Sequence, residues 1–123
     1  ISCGNQSNTK QAIDKSLNFN LSVLPKNVSP DIIANFGFFS SNEREKWKYT
    51  SHHKYQGLPV FDEALAFINA KVIHKYELCS NTVFIAEIVD AEINKQGESL
   101  LYQDYRGELK NNVIKAYQRL KGE

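Results

Sequence analysis

The run Asn81–Ile93 constrains the fold of this chain more than any other part of the sequence. It is rich in β-branched residues and apolar at both odd and even positions for most of its length, which predicts a strand buried on both faces. In a small protein, one face of such a strand lines a barrel interior, and the other needs a helix or a second subunit over it. We therefore predict a mainly β protein with peripheral helices. Strict alternation gives two faces, Val83, Ile85, Val89 and Ala91 on one and Phe84, Ala86 and Ile88 on the other.

The composition is that of an ordinary globular protein. With 123 residues, 41% hydrophobic and 24% charged, the chain is expected to form a single domain over residues 1–123. Its formal net charge of +1 gives no electrostatic reason to expect nucleic acid or a membrane surface as partner. Cys3 and Cys79 lack C-x-x-C spacing, and no apolar run is long enough for a signal peptide or a membrane span. We expect a cytoplasmic protein with free thiols, with a Cys3–Cys79 disulfide as the alternative.

The segment Ile1–Ile13 has the pattern of a strand end, a polar loop and the first turn of a helix. Gly4 allows the backbone to turn, and the side-chain donors of the loop are Asn5, Gln6, Ser7, Asn8 and Thr9. A helix that begins near Thr9 adds free backbone N–H groups and the positive end of its dipole, which together suit a phosphate. The alternative is that Ser7 or Asn8 only caps the helix.

Hydrophobic periodicity and turn residues predict the remaining elements. In chain order they are a strand at Phe19–Leu24, a helix from Pro30 to Gly37, a capped helical turn at Ser40–Trp47, a strand at Ala64–Leu78, a last strand at Leu100–Arg106 where the sheet closes, and a helix at about 108–121. Alternation turns Phe19, Leu21 and Val23 toward the core. It also places the even-numbered residues of Ala64–Leu78 on one mostly apolar face.

The polar stretches carry weaker signals. The charged residues of Ser40–Trp47 are expected on a solvated face with Trp47 as the anchor, and Lys48–Gln56 has no period and is expected to be an exposed loop. His52 and His53 lie in that loop, but adjacent residues of an extended chain point in opposite directions, and no carboxylate or cysteine stands at ligand spacing. No metal site is predicted there. His74 falls on the apolar face of its strand and is expected to be partly buried.

The sequence lacks the motifs of the best-marked enzyme classes. It contains no G-x-S-x-G, H-E-x-x-H, Walker or G-x-G-x-x-G sequence, so these hydrolases, zinc enzymes, P-loop proteins and Rossmann dehydrogenases find no support. One family fits the order and spacing of the segments from Ile1 to about Arg106. The chain resembles the flavin reductase-like, FMN-binding split-barrel family at Gly4–Ile13, Phe19–Leu24, Asn35-Phe36-Gly37, Gly57-Leu58-Pro59, Ala64–Ala66, Thr82–Ala91 and Leu101-Tyr102.

The resemblance implies a split β-barrel and a set of cofactor contacts. The loop Asn5–Thr9 is implied to hold the flavin phosphate, Phe36 to lie close to the cofactor, and Tyr102 and Arg106 to be further neighbours of FMN. Asn35 and Asn81 stand where many relatives have histidine, so no acid–base role is carried over to them. Relatives also have strands that precede the position of Ile1, so the barrel in this chain is expected to be incomplete if Ile1 is the terminus.

The function implied by the resemblance is that of an FMN-binding oxidoreductase. It would reduce the flavin with NADH or NADPH and pass the electrons to an acceptor, as a homodimer with FMN between the subunits. Such a flavin reductase needs no catalytic acid or base of its own, because hydride passes from one cofactor to the other. Two alternatives stay open: a flavin-carrying electron-transfer module that serves a redox-protein partner, and a split-barrel module that binds no flavin.

Overall fold

The structure is a computed structural model that describes residues 1–122. The strands are β1 (Ser2–Gly4), β2 (Asn18–Val23), β3 (His52–Tyr55), β4 (Leu58–Phe61), β5 (Ala66–Glu77) and β6 (Asn81–Ile93). The helices are α1 (Asn8–Ser16), α2 (Pro30–Gly37), α3 (Tyr102–Asp104) and α4 (Lys110–Lys121), with a 3-10 helix at Lys46–Tyr49 and a π-helical turn at Tyr105–Leu109. An antiparallel sheet in the order β1-β6-β5-β2 and a separate β3–β4 hairpin make up the β structure. The predicted mainly β fold with peripheral helices is confirmed.

The two long strands pair with two irregularities that sequence alternation does not anticipate. Ala70 lies opposite Ile88 while Asn69 lies opposite Asp90, which leaves Val89 as an extra residue on β6. Further along, the register skips Ile73 on β5. Because directly opposite residues share a face, Ala91 lies on the face of Phe84, Ala86 and Ile88, and the predicted assignment of Ala91 to the other face is wrong. The even-numbered residues of β5 likewise divide at Ile73, so that Ala70 and Val72 lie on one face and His74 and Tyr76 on the other.

One face of the sheet packs against α1. The core on this side consists of Ile13, Phe19, Ala70 and Phe84, with Cys3, Val72 and Ala86 around it. Phe19 is buried as predicted, whereas Leu21 is 41% exposed, contrary to the prediction. Leu21 lies opposite Ile68, toward the end of β5 away from the residues that α1 covers. Both cysteines are free, so the Cys3–Cys79 disulfide does not form.

The other face of the sheet packs against the β3–β4 hairpin and α2. Its core consists of Val28, Tyr55, Val60, Phe61, Ala64 and Phe67. The predicted exposed loop at Lys48–Gln56 is therefore wrong, because His52–Tyr55 is a strand whose last residue is buried. A two-residue turn at Gln56 and Gly57, both with positive φ, closes the hairpin. The sequence shows no apolar–polar alternation for this strand, because Tyr55 is its only core residue.

The C-terminal segment forms helices where the sequence pattern predicted a last strand. The backbone N–H of Leu101 donates to Asp104 Oδ2 at 3.0 Å and starts a helical turn, so Leu100–Arg106 does not close the sheet. The predicted helix at about 108–121 is present as α4, and its buried residues Val113, Ala116 and Leu120 pack against Ala34 of α2. Within residues 1–122, no helix is both long and apolar enough to cross a membrane.

Candidate functional site

The predicted polar loop folds as a strand end, a turn and a capped helix. Ser7 precedes α1, and its hydroxyl accepts from the N–H of Lys10 at 3.1 Å and donates to the carbonyl of Gly4 at 2.8 Å. This is the N-cap geometry that supplies a partner for one of the free N–H groups of a first turn. The capping role proposed for Ser7 as the alternative is thus present, and the hydroxyl is engaged in both directions.

Asn5 ties the loop to the turn between β5 and β6. Its Nδ2 donates to the carbonyl of Leu78 at 2.8 Å, and its Oδ1 accepts from the buried hydroxyl of Thr82 at 2.7 Å. Its backbone N–H also donates to the carbonyl of Ser80 at 2.9 Å. A short side chain with both polar ends bonded to the protein shapes the loop. Asn5 is therefore an anchor of the loop.

The other loop side chains divide between anchoring and exposure. Nδ2 of Asn8 donates to the hydroxyl of Ser40 at 3.1 Å, which joins the first turn of α1 to the segment that follows α2. Gln6 and Thr9 are exposed. Of the five predicted phosphate-loop residues, these two keep their side chains available to a ligand.

Thr9 and Phe36, two of the predicted site residues, line one cavity. Its volume is about 560 Å³, and its walls are Thr9, Phe36, Ser41, Arg44, Glu45, Lys46 and Trp47. A second cavity of about 420 Å³ shares Phe36 and Trp47 and is lined otherwise by Asn20, Ser22, Leu24, Ile32, Ile33, Gly37, Pro59 and Phe61. The rings of Phe36 and Trp47 meet edge to face with centroids 4.7 Å apart. This aromatic pair separates a cavity that is lined by charged side chains, here called the polar cavity, from a mostly apolar one.

Arg44 and Lys46 bring positive charge to the polar cavity. The guanidinium of Arg44 lies over the ring of Tyr49, with Cζ 3.8 Å from the centroid, and its Nε donates to Asn35 Oδ1 at 2.7 Å. Nζ of Lys46 donates to the carbonyl of Phe36 at 3.0 Å, and burial lowers the pKa of this amine despite the opposing charge of Glu43. The predicted solvated face for these charges is wrong for both residues, which are partly buried. The positions of both side chains depend on contacts with α2, and no pattern in the local sequence predicts these contacts.

Asn35 and Asn81, the two asparagines singled out in the sequence, are both hydrogen-bonded to protein atoms. Asn35 is 3% exposed, and its Nδ2 donates to the carbonyl of Lys46 at 2.9 Å and to the hydroxyl of Thr50 at 3.1 Å. Asn81 accepts from the hydroxyl of Ser80 at 2.9 Å and donates to Ser2 at 3.3 Å. An amide has no proton to transfer at ordinary pH, so neither residue provides acid–base chemistry.

Tyr102 and Arg106 lie apart from the Thr9–Phe36 cavity. Together with Gln103 and Gly107 they line a surface cavity of about 540 Å³ that shares no residue with the other two. Tyr102 is 74% exposed. Within one chain, the structure does not bring these two predicted residues to the loop of α1.

The histidines have structural partners. Nδ1 of His52 lies 2.7 Å from the carbonyl of Thr50, and its ring packs on Trp47. Nδ1 of His53 lies 2.5 Å from Asp62 Oδ1, and this contact lowers the pKa of the Asp62 carboxyl, with help from a hydrogen bond from Ser51. His74 is exposed beside Tyr76, contrary to the expected partial burial. Among residues 1–122, no group of three or more metal-ligating side chains is present.

Comparison with known sequences gives one family. Residues 1–109 match the flavin reductase like domain. A ferric-chelate reductase (NAD(P)H) from Archaeoglobus fulgidus is 38% identical over 106 residues, which cover 84% of this chain and 63% of the relative. A high molecular weight rubredoxin from Moorella thermoacetica is 30% identical over 107 residues, which cover 85% of this chain and 47% of the relative. The chain thus spans less than two thirds of either relative.

Solved structures share the fold. A flavin reductase domain protein from Arthrobacter sp. FB24 superposes with a TM-score of 0.72 at 14% identity, covering 83% of this chain and 62% of that chain. Flavoredoxin from Methanosarcina acetivorans gives 0.70 at 16% identity, with 80% and 56% covered, and an FMN-binding protein from Thermus thermophilus gives 0.69 at 19%, with 76% and 52% covered. At these identities the likeness concerns the fold alone, and it confirms the predicted split barrel. From the domain match and the 38% identical relative, the chain belongs to the flavin reductase-like domain family.

Proposed function

We propose that this protein binds FMN and reduces it with NADH or NADPH. The observation that carries the proposal is that the first turn of α1, two cationic side chains and an aromatic pair lie together around two adjoining cavities. FMN carries a phosphate dianion and a flat aromatic ring. Helix N-termini and Arg or Lys side chains suit the phosphate, and the Phe36–Trp47 pair suits the ring.

The structure tests how well this chain's residues fit that ligand. The side chains of Asn5, Ser7 and Asn8 are engaged with protein atoms, so they hold the loop in shape. The phosphate contacts that we propose are the hydroxyl of Thr9, the free N–H groups of the first turn of α1, and the guanidinium of Arg44. Gln6 and Lys46 are the further donors near them. This set supplies the hydrogen-bond donors that a phosphate needs, and the two cations outnumber the one carboxylate of the cavity, that of Glu45.

When bound, the flavin supplies the ring that accepts hydride from the nicotinamide. The task of this chain is to bind and orient the ring and to exclude water around it. Phe36 and Trp47 offer apolar surface, and Asn20 and Ser22 offer polar atoms at the wall of the second cavity. No side chain needs to transfer a proton. The 38% identical relative is named for reduction with NAD(P)H, which supports the choice of donor.

A homodimer is part of the proposal. The outer residues of β5 and β6 leave apolar side chains in water, among them Ile73 and Ile85 on one face and Ile88 and Ile93 on the other. Monomers rarely leave so many large apolar side chains of one strand pair in water. Tyr102 and Arg106 lie outside the Thr9–Phe36 cavity, so contact between them and FMN depends on a second subunit. The single domain over 1–123 and the cytoplasmic location stay predictions.

The dimer has a direct test that uses the corrected strand faces. Phe84 is 1% exposed under α1, so a charge there would unfold the core, whereas Ile85 on the opposite face and Ile88 further along the face of Phe84 are 43% and 64% exposed. We expect Ile85→Asp or Ile88→Asp to lower the apparent mass in sedimentation while the fold, followed by circular dichroism, persists. Lys71→Asp, on the same strand pair but already exposed and polar, is the matched control. A wild-type protein that stays monomeric at every concentration would contradict the dimer.

Flavin binding is tested by fluorescence titration of the purified protein with FMN, FAD and riboflavin. We expect FMN to bind most tightly, because riboflavin lacks the phosphate, and in FAD the same phosphate is a diester that carries one negative charge fewer and a bulky AMP group. Oxidation of NADH and NADPH by the FMN-loaded protein then tests the reductase activity. Failure of all three flavins to bind would overturn the proposal.

A second function is favoured by one observation. The Moorella thermoacetica relative is named as a rubredoxin, a class of protein that carries electrons. An electron-transfer module that serves a redox-protein partner would bind FMN equally well but would oxidise NADH and NADPH slowly. The same nicotinamide assay therefore separates the two functions.

A further inference from the structure

We propose that Asn35 is a positioning residue that orients the guanidinium of Arg44 toward the phosphate of the bound flavin. This inference rests on the proposed function, since it names a residue that would set the preference for phosphorylated flavin. Asn35 lines a smaller neighbouring cavity with Arg44 and acts on the polar cavity through that residue.

The orientation of the Asn35 amide follows from the chemistry of its partners. Its Nδ2 faces the carbonyl oxygen of Lys46, which can only accept a hydrogen bond, and the hydroxyl of Thr50. Its Oδ1 faces Nε of Arg44, which can only donate. An amide turned the other way would place two donors together and two acceptors together. The acceptor for Arg44 is therefore fixed by the protein itself.

Arg44 is held at one edge and on one face of its guanidinium. The bond from Nε to Asn35 fixes the edge, and the ring of Tyr49 supports the plane at 3.8 Å. Within residues 1–122, no carboxylate lies within ion-pair distance of Arg44. A fixed guanidinium that keeps its terminal N–H groups without a carboxylate partner is suited to a bidentate contact with phosphate.

Asn35 also ties the backbone of the same wall in place. The carbonyl of Lys46 accepts from its Nδ2, and Lys46 in turn donates from Nζ to the carbonyl of Phe36 on α2. These bonds fasten the segment that carries Arg44 to the helix that carries Phe36. One buried side chain thus couples the cationic part of the cavity to its aromatic wall.

The test measures the FMN preference, defined as the riboflavin Kd divided by the FMN Kd, by flavin fluorescence quenching. The variants are Asn35→Ala, Arg44→Ala and the double variant. We expect Arg44→Ala to lower the preference about tenfold or more and Asn35→Ala to lower it several-fold. Because Asn35 acts through Arg44, the double variant should match Arg44→Ala alone. Losses that multiply in the double variant would overturn the proposal.

Two further variants test the positioning of Arg44 even if Asn35→Ala does not fold. Arg44→Lys keeps the charge but loses Nε and the planar fork, so it should lose most of the preference; a preference equal to wild type would overturn the proposal. Thr50→Val removes one acceptor of Asn35 and leaves Lys46 to fix the amide, so it should lower thermal stability and keep the preference. If the wild-type protein binds riboflavin as tightly as FMN, the phosphate site of the proposed function is refuted. If Arg44→Lys weakens the binding of FMN and of riboflavin equally, only this inference is refuted.

Discussion

The two sides of the polar cavity differ in how they are held. The loop Gly4–Thr9 is fixed largely by its own turn and the cap of α1, with Asn5 as its main distant tie. The segment Ser40–Tyr49 has a turn at Ser40 that Glu43 caps and a 3-10 helix, but its position depends on bonds to α2, through Asn35 and the carbonyl of Phe36. A site can thus be built from one wall encoded locally and another encoded by contacts with α2.

The largest expected effect is on the wall held by distant contacts. Trp47 packs on Phe36 and His52 and borders both cavities. Trp47→Ala should cost about 2–4 kcal/mol of unfolding free energy, somewhat less than the ~3–5 kcal/mol of fully buried aromatic truncations, since the ring is only partly buried. Chemical denaturation gives the stability change, and titrations should show weaker binding of FMN and riboflavin alike.

Trp47→Phe is the matched control for this change, because it keeps an aromatic ring against Phe36. It should recover most of the stability and of the flavin affinity. If Trp47→Ala leaves both flavins bound as tightly as wild type, the aromatic pair is not part of the flavin site.

The second effect tests the main distant tie of the loop. Asn5→Ala removes the acceptor of the buried Thr82 hydroxyl and the donor to Leu78. Leaving buried polar groups unpaired costs about 1–3 kcal/mol, so urea unfolding should show a loss in that range. Thr82→Val, which deletes one of these bonds and keeps the shape, should lose less than Asn5→Ala. A larger loss in Thr82→Val would mean that Asn5 contributes little to holding the loop.

A smaller effect separates binding from capping within the loop. Thr9→Ala removes an exposed hydroxyl and should weaken FMN binding by about tenfold while riboflavin binding stays as in wild type. Ser7→Ala removes the cap of α1 and should cost about 1 kcal/mol of stability. Titration and thermal unfolding of the two variants side by side check the assignment. Equal effects of Thr9→Ala on both flavins would contradict a phosphate contact at this position.

The contrast between features set by local contacts and features set by distant contacts also explains what the sequence could predict. The bounds of Asn81–Ile93 and the cap at Ser7 follow from periodicity and local hydrogen bonding, and both are present in the structure. The bulges at Val89 and Ile73 are set by the pairing of two strands, which no residue type marks in advance. Sequence alternation therefore gave the right strand and the wrong face for Ala91.

The residues of the candidate site likewise divide into those that the sequence identified and those that only the structure shows. Thr9 was identified from the polar loop that precedes α1 and Phe36 from the resemblance to a family, and the structure places them in one cavity. Arg44 was assigned to a solvated face because its neighbours in sequence are charged and polar. Its true environment depends on Asn35 and Tyr49, and only the first of these was singled out from the sequence. The buried Asn35, at a position where the resemblance leads us to expect histidine, is a signal that could have directed attention to this wall.

The smallest expected effect is a fall of the FMN preference at alkaline pH, which arises only from the wall that contains Lys46. Burial lowers the pKa of Lys46 from its usual 10.5, whereas the wall formed by the loop carries no group that titrates in this range. As pH rises toward 10.5, Lys46 loses its charge before an exposed lysine would, and unfolding free energy rises because the unfolded chain binds more protons. Phosphate binding weakens over the same interval. The FMN preference should therefore fall several-fold at alkaline pH, and titration of the flavin ring cancels since FMN and riboflavin share it.

Lys46→Arg supplies the control for this pH effect. Arginine stays charged throughout the interval, so the FMN preference of the variant should be level where that of the wild type declines. Fluorescence titrations with both flavins at several alkaline pH values check the difference. A decline of equal size in Lys46→Arg would assign the pH dependence to a group outside the cationic wall, and Lys46 would then be a structural residue that fastens its segment to the carbonyl of Phe36.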